Sequence, residues 1–319
     1  AYQRRTLYFP VATKGDGELS WIVSAEDELD ADAIHHRLSV NPRSSLEVAA
    51  TYGTTTGDRV REKIAIPAKI RTDVGAVSAS LSSSVIGNVD GAFRYMQGYP
   101  YRAWEQRLSR AVMASSWLRL QDYFRDNLSW QDADELVNTA LADATNFQAP
   151  NGGMTYWVPN NQYVSPYLSA YTALAFQWLR RDGYTIPNTV EQNLHSYLQR
   201  LLREDVVPSF YSKGMAASVR AVALAALAHR GQVNAVDIER YEAHFAQMDL
   251  FGKAHFLQAA LLTDTDLGLR QRALAEILGY ASQSGGKFQF SEAWDDSYKY
   301  LLATPLRSNC GILSGLLVA

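Results

Sequence analysis

The chain has 319 residues with a net charge of −3, and 47% of its residues are hydrophobic. This composition is typical of a globular protein that can bury a core, and it excludes the strongly basic face of a nucleic-acid-binding protein. No apolar run reaches the roughly 20 residues that a membrane span needs. Residues 1–5 carry charge with no hydrophobic signal region behind it, so we expect a piece of a longer protein.

Residues 1 to about 84 are predicted to form β-structure. The turn at 14–17 predicts a hairpin that pairs residues 5–11 with residues 18–23. Five or six such strands indicate a small β-sandwich. The acidic residues Glu28, Asp30 and Asp32 are interpreted as a solvated turn rather than Ca²⁺ ligands, because no glycine and glutamate follow at loop spacing. The remaining strands are predicted at 33–40, 46–50, 63–67 and 74–81.

Residues 85–319 are dominated by helical patterns. Ser82 to Ser84 could cap a first helix over about 85–97. Ser129 is predicted to cap the helix at 132–143. The other helices are predicted at 103–124, 165–181, 189–203, 214–230, 235–247, 252–263, 267–282 and 305 to the end.

These helices alternate between two kinds. One kind is rich in Ala and Leu and nearly uncharged, which is typical of a buried helix, and the other carries charge on one face, which is typical of a surface helix. The uncharged helices recur every 40 to 50 residues or so, about one helical hairpin each. Inner and outer helices in alternation indicate either an open superhelix or a closed α/α toroid, and about six hairpins favour the toroid. The glycine-bearing loops at 151–153 and 284–286 are both followed by apolar and aromatic residues.

The chain has one cysteine, Cys310, so it cannot form a disulfide within itself. Because Cys310 lies in an apolar helical segment, we predict a buried packing thiol rather than a nucleophile. The adjacent histidines His35 and His36 would point to opposite faces of a strand and cannot bind one ion together. We therefore predict no metal and no cofactor.

The segment from Tyr99 to Gln106, Tyr-Pro-Tyr-Arg-Ala-Trp-Glu-Gln, stands where strands give way to helices. It resembles the thioester segment of bacterial α2-macroglobulin-like proteins, which typically reads Tyr-Pro-Tyr-Gly-Cys-Leu-Glu-Gln. The loop at 150–157 resembles the Asn-Gly-Gly-aromatic loop of that family, and residues 164–171 resemble the helix start that follows it. The resemblance covers the whole chain. It implies that residues 1–84 are part of a CUB-like β domain and residues 85–319 a thioester-type α/α toroid.

In that family, a cysteine and a glutamine three residues later form an internal thioester that nucleophiles attack. Here Glu105 and Gln106 are present, but Ala103 occupies the cysteine position, with Arg102 and Trp104 on either side. The resemblance therefore implies the subgroup that lacks the thioester. The degenerate thioester position comprises Ala103, Glu105 and Gln106. Trp104 is expected to plug this junction, and two or three of the aromatic side chains around it are expected to face solvent. The residues expected to form the flanking pocket or an interface are Tyr99, Tyr101, Arg102, Trp104, Tyr156, Trp157, Tyr163 and Tyr167.

Three functions remain open at this point. The first, which the resemblance implies, is a non-covalent protease trap or sensor in the bacterial periplasm. Its full-length protein could be anchored to the inner membrane, and its expected partners are target proteases and the other domains of the same longer chain. The second is a structural or interaction module of a periplasmic complex, whose partners are periplasmic proteins. An enzyme is disfavoured, because the adjacent Asp295 and Asp296, near Glu292, diverge on a helix and do not form an acid–base pair.

Overall fold

A computed structural model of the chain describes residues 6–41, 45, 51, 53, 55–66, 70–71, 73–79, 81, 89–123, 128–159, 163–204, 207–284 and 287–318. The chain divides into two compact units, Ala1–Ala79 and Ser80–Ala319. No helix in the described residues is long and apolar enough to cross a membrane. Nor does any group of three or more His, Cys, Asp or Glu side chains in these ranges have the arrangement of a metal site.

The first unit contains an antiparallel hairpin of β1 (Gly17–Glu26) and β2 (Ala31–Val40). Both N–H groups of Leu29 and Asp30 donate to the Asp27 carboxylate at 2.8 Å, which closes the acidic turn that the sequence predicted as solvated. This hydrogen bonding lowers the pKa of Asp27. One face of the hairpin carries most of its apolar side chains, with Leu19 opposite Leu38 and Val23 opposite Ile34.

The predicted partner of β1 is wrong. Residues 6–16 are irregular, and β1 pairs with β2 instead, because ten residues on each side find a continuous register that the shorter run at 5–11 cannot provide. The strands predicted at 63–67 and 74–81 are irregular where they are described, and 46–50 lies outside the described residues. A period-two pattern becomes a strand only when a neighbouring strand accepts its hydrogen bonds.

The second unit is helical, and the prediction of a mainly α fold after a small β segment is confirmed. Its α-helices are α1 (Asp90–Gln97), α2 (Trp104–Leu120), α3 (Ala133–Asp143), α4 (Pro166–Arg181), α5 (Asn188–Arg203), α6 (Lys213–Ala228), α7 (Ala235–Glu239), α8 (Leu250–Leu262), α9 (Leu267–Gly279) and α10 (Pro305–Leu316). Short 3₁₀ turns follow or join them at Gln121–Tyr123, Ala144–Phe147, Glu242–Gln247 and Asp296–Leu301.

The even-numbered helices form an inner layer. Helix α2 packs on α4, α4 on α6, α6 on α8 and α8 on α10, while α3, α5 and α9 pack outside α2, α4 and α8. Alanine makes this possible in α6, which is buried from Met215 to Ala228, because small side chains let helices approach on every side. The outer helix α5 buries only one face, through Val190, Leu194, Leu198 and Leu201.

Several predicted boundaries differ from the structure. The helix predicted at 267–282 ends at Gly279, and β3 (Ala281–Ser284) pairs with β4 (Lys287–Phe290), whose edge is held by the Asn309 side chain at 2.8 Å. The helix predicted at 235–247 is broken into α7 and a 3₁₀ turn. Helix α1 begins at Asp90, and its predicted serine cap lies outside the described residues. Asp132, rather than Ser129, precedes α3.

The prediction that Cys310 is buried is also wrong, because its side chain is exposed. Helix α10 packs through its other face, which includes Gly311, Ile312 and Gly315. A Cβ atom at Gly311 would lie 2.9 Å from the Phe251 ring, so the helix approaches its neighbour closely along the glycine face. Apolar flanking residues predicted a buried segment, but they did not predict which face turns inward.

Candidate functional site at the start of α2

The connection between α1 and α2 is held by backbone contacts. The Tyr99 N–H donates to the Met96 carbonyl at 3.3 Å, which ends α1 as a turn. The Arg110 guanidinium, in the second turn of α2, binds the carbonyls of Met96 and Gln97 at 3.0 and 2.8 Å. Because a cation at a helix C-terminus satisfies free carbonyls, the Arg110 side chain fixes the angle at which the chain enters α2.

Ala103 is the N-cap residue of α2. Its backbone is extended, with φ −63° and ψ 159°, and it provides no side-chain hydrogen bond to the helix. The Trp104 N–H instead donates to the Tyr156 carbonyl at 2.8 Å. The loop that contains Tyr156 therefore satisfies one of the first N–H groups of α2, which have no partner within the helix.

Trp104 is completely buried beneath this junction. Its indole N–H donates to the Thr172 hydroxyl on α4 at 2.8 Å, and its ring stacks on Phe147 with the centroids 5.3 Å apart. The Thr172 hydroxyl in turn donates to the Leu168 carbonyl at 2.8 Å. A buried tryptophan with its polar atom satisfied is a strong packing anchor, so Trp104 joins α2 to α4 and to the turn before the 151–153 loop.

Glu105 and Gln106 occupy the first turn of α2 with different surroundings. Burial raises the pKa of Glu105, and a hydrogen bond from the Ser109 hydroxyl at 2.9 Å partly offsets this effect. Ser109 also contacts the Tyr171 hydroxyl at 2.8 Å. The Gln106 side-chain carbonyl is buried and has no hydrogen-bond partner among the described residues. The side-chain methyl of Ala103, 3% exposed, offers it no chemistry.

The Asn-Gly-Gly loop is a tight turn that packs closely on its neighbours. Gly152 has φ +89°, and an added Cβ would lie 2.3 Å from the Asn193 carbonyl oxygen. At Gly153 an added Cβ would lie 2.4 Å from a methyl group of Val164. The Gly153 N–H donates to the Asn151 side chain at 3.1 Å. Both glycines are therefore required by the close approach of the loop to α5 and to the segment before α4.

The other residues that the sequence singled out differ in exposure, and Tyr156 is close enough to Tyr163 and Tyr167 to interact with them electrostatically. Tyr167 is buried, its hydroxyl accepts from Arg307 on α10 at 3.1 Å, and burial raises its pKa. Burial also raises the pKa of Tyr156 to about 12. Tyr99 is half-buried and meets the exposed Tyr101 edge to face at 5.3 Å. The side chains of Arg102, Trp157 and Tyr163 are exposed.

Of the three acidic residues considered for catalysis, two have structural partners and the third stands in the first turn of a 3₁₀ helix. Glu292 accepts from the Leu250 N–H at 2.8 Å and from the Ser308 hydroxyl at 3.2 Å, and burial raises its pKa. Asp295 caps the 3₁₀ turn at Asp296–Leu301 through the Ser297 N–H at 2.7 Å. Asp296 follows it in the first turn, where a carboxylate is favourable.

Sequence reasoning missed the residues that anchor this site from other helices. Thr172, Phe147 and Ser109 carry no motif, and they meet the α2 start only after α4 and the 144–147 turn pack against it. Arg307 also gave no signal, although it binds Tyr167 and lies 3.3 Å from the Asp249 carboxylate. Contacts between distant helices of this kind are not encoded in local spacing.

Similar structures were found only by fold comparison, because no family model and no curated protein matches the sequence. Native alpha-2-macroglobulin from Escherichia coli, solved from domain MG7 to the C-terminus, matches 72% of this chain with a TM-score of 0.62 and 19% identity. The native conformation of the same protein seen by cryo-electron microscopy matches 72% of this chain with a TM-score of 0.61 and 19% identity. A tyrosine-to-glycine mutant of Salmonella alpha-2-macroglobulin gives the same coverage, TM-score and identity.

This chain has a fold of bacterial alpha-2-macroglobulins. It spans 35% of the MG7-to-C-terminus chain, 14% of the E. coli protein seen by cryo-electron microscopy and 15% of the Salmonella mutant, so it corresponds to only part of those molecules. At 19% identity this likeness concerns the fold, and the residues of the site have to be judged by their own geometry.

Within that fold, the start of α2 is a packed junction. The Tyr156 carbonyl accepts the Trp104 N–H, and the Trp104 side chain is buried beneath the helix start. The residue before Trp104 is Ala103, whose side chain is a methyl group. Neither a thiol nor another nucleophile stands at position 103, so an acyl bond from the Gln106 side chain cannot form there.

Proposed function

We propose that this chain is the thioester-type domain of a bacterial alpha-2-macroglobulin-like protein that traps or senses proteases without forming a covalent bond to them. The observation that carries the proposal is Ala103 at the N-cap of α2. In the thioester segment that Tyr99–Gln106 resembles, this position holds a cysteine. Here it holds an alanine, which has no sulfur.

Cys310 does not supply the missing thiol. Its side chain is exposed on α10, whereas the Gln106 side-chain carbonyl is buried at the start of α2. A thioester requires the sulfur and that carbonyl carbon in bonding contact. The opposite surroundings of the two groups therefore support a domain that keeps the scaffold without its reactive bond.

Proteases are the proposed targets because similar structures include E. coli alpha-2-macroglobulin activated by trypsin and by porcine elastase. A third similar structure is Salmonella alpha-2-macroglobulin reacted with methylamine. We propose that protease cleavage elsewhere in the longer protein moves this domain relative to the others, and that Ala103 makes the response to methylamine absent here. A periplasmic location, with or without an inner-membrane anchor, is part of the same proposal.

A second candidate function is an interaction module. It is favoured by an exposed aromatic group in which the Phe210 ring lies 5.7 Å from Tyr163 and 5.2 Å from Tyr300, with each of the three rings at least 45% exposed. Exposed aromatic clusters are frequent at protein interfaces. In this alternative the domain docks to another periplasmic protein and has no response to proteases.

The full-length protein incubated with a panel of proteases separates these functions. Trapping predicts a complex in gel filtration in which the protease still cleaves small peptides and no longer cleaves protein substrates. It also predicts that boiling in detergent releases all of the protease. A detergent-stable adduct would contradict the non-covalent proposal. Unchanged protease activity with no complex would favour the interaction module.

A further inference from the structure

A cavity of about 340 Å³, half open to solvent, lies between the first turns of α2 and the first turns of α3. Arg102, Arg107 and Arg110 line it from the α2 side, and Asp132 and Glu135 line it from the α3 side. Its volume falls at the lower end of the range for small-molecule sites, about 300 to 1,000 Å³. We call it the α2–α3 cavity.

Two of the three guanidinium groups already have partners. Arg107 forms an ion pair with Asp143, and Arg110 binds two carbonyls at the end of α1 at 3.0 and 2.8 Å. The exposed guanidinium of Arg102 makes no hydrogen bond or ion pair with any described residue, although its carbonyl accepts from Arg107 at 3.2 Å. Arg102 therefore provides the cation of this cavity that is available to a ligand.

The α3 wall carries the opposite charge. The carboxylates of Asp132 and Glu135 are exposed, and within the described part of the chain neither has a hydrogen-bond or ion-pair partner. Asp132 is the N-cap residue of α3 but makes no side-chain capping bond. Leu136 and Ala140 form an apolar patch on the same wall. Charges of both signs thus face the cavity without neutralising each other.

We propose that the α2–α3 cavity binds a zwitterionic ligand of dipeptide size. The ligand carboxylate pairs with the Arg102 guanidinium, whose planar donors match a carboxylate in a two-point contact. The ligand ammonium group lies against Asp132 and Glu135. A small apolar side chain of the ligand covers Leu136. This inference does not depend on the protease function.

Isothermal titration calorimetry with L-alanyl-L-alanine on the 319-residue chain tests the proposal. Arg102→Ala should weaken binding at least tenfold, and so should Asp132→Asn combined with Glu135→Gln. Matched controls are Arg240→Ala and Glu239→Gln, which change exposed charges on and next to α7 and should leave the affinity unchanged.

Blocked dipeptides identify which group meets which wall. The N-acetylated dipeptide has no ammonium group, so we expect it to bind more weakly than the free dipeptide. Its affinity should fall further with Arg102→Ala and should not change when Asp132 and Glu135 are neutralised. The C-terminal amide should show the reverse pattern. Since the substituted side chains are exposed, thermal unfolding of every variant should match that of the parent chain. The proposal is overturned if the parent chain does not bind the dipeptide at millimolar concentration, or if both walls can be neutralised without loss of affinity.

Discussion

Replacement of Trp104 by alanine should be among the most destabilising changes in the helical unit. The side chain is fully buried, stacks on Phe147 and donates to Thr172, so the substitution removes a large apolar contact and one buried hydrogen bond. Trp→Ala changes in cores cost about 3 to 5 kcal/mol. Each kcal/mol lowers Tm by about 2 to 4 °C in a unit of this size, so we expect a drop of about 10 °C.

Urea unfolding followed by circular dichroism at 222 nm measures this change on the helices. Thr172→Val removes the hydrogen bond from Trp104 together with the one that Thr172 donates to Leu168, and it leaves the buried indole N–H without a partner, so we expect a loss of about 1 to 3 kcal/mol. Trp157→Ala is the matched control, because Trp157 is 56% exposed and should cost less than about 1 kcal/mol. A loss below about 1 kcal/mol for Trp104→Ala would refute the view that this residue anchors the α2 start.

Three further predictions concern the same region. Ala103→Cys should yield two free thiols on titration of the unfolded chain, against one (Cys310) in the parent, and a mass lower by one ammonia would reveal a thioester instead. Glu105→Gln should raise the free energy of unfolding at pH 7 and make it less dependent on pH. The reason is that burial raises the folded-state pKa of Glu105, so the parent chain gains stability as the pH falls through that pKa. Equal slopes of unfolding free energy against pH in both proteins, between pH 7 and pH 4, would contradict this. Gly152→Ala should cost at least about 2 kcal/mol more than Gly183→Ala in urea unfolding, because both glycines have positive φ but only at Gly152 does a Cβ meet the Asn193 carbonyl; similar costs would exclude the clash as the cause.

The helical layers could be predicted because their cause is local. The spacing of apolar residues predicts the alternation between uncharged helices such as α6 and helices with a single apolar face such as α5. The observed bounds of these two helices differ from the predicted ones by a few residues. The β3–β4 hairpin could not be predicted in the same way. Its β4 edge is held by Asn309, nineteen positions away, and that contact exists only after α10 has packed.

The candidate site divides along the same line. The motif identified position 103 and the loop at 151–153, since both are short segments with distinctive residues. The motif could not reveal that the Trp104 indole N–H donates to the Thr172 hydroxyl, because α2 and α4 meet only in the folded chain. For the same reason it could not reveal that the Ser109 hydroxyl contacts both Glu105 and Tyr171. The exposure of Cys310 was missed for a related reason, since the direction of a helix face is set by the helix it packs on.

Arg307 has a consequence for the order in which the helical unit can fold. It joins α10 to Tyr167, 140 positions earlier, and to the Asp249 carboxylate, which is almost fully buried at the start of α8. The Asp249 carboxylate caps α8 by accepting the Gly252 N–H at 2.7 Å, and it gains its charged partner on α10 only after a long loop has closed, which carries an entropic cost. The helical unit therefore gains this ion pair and the Tyr167 contact only when its last inner helix is in place.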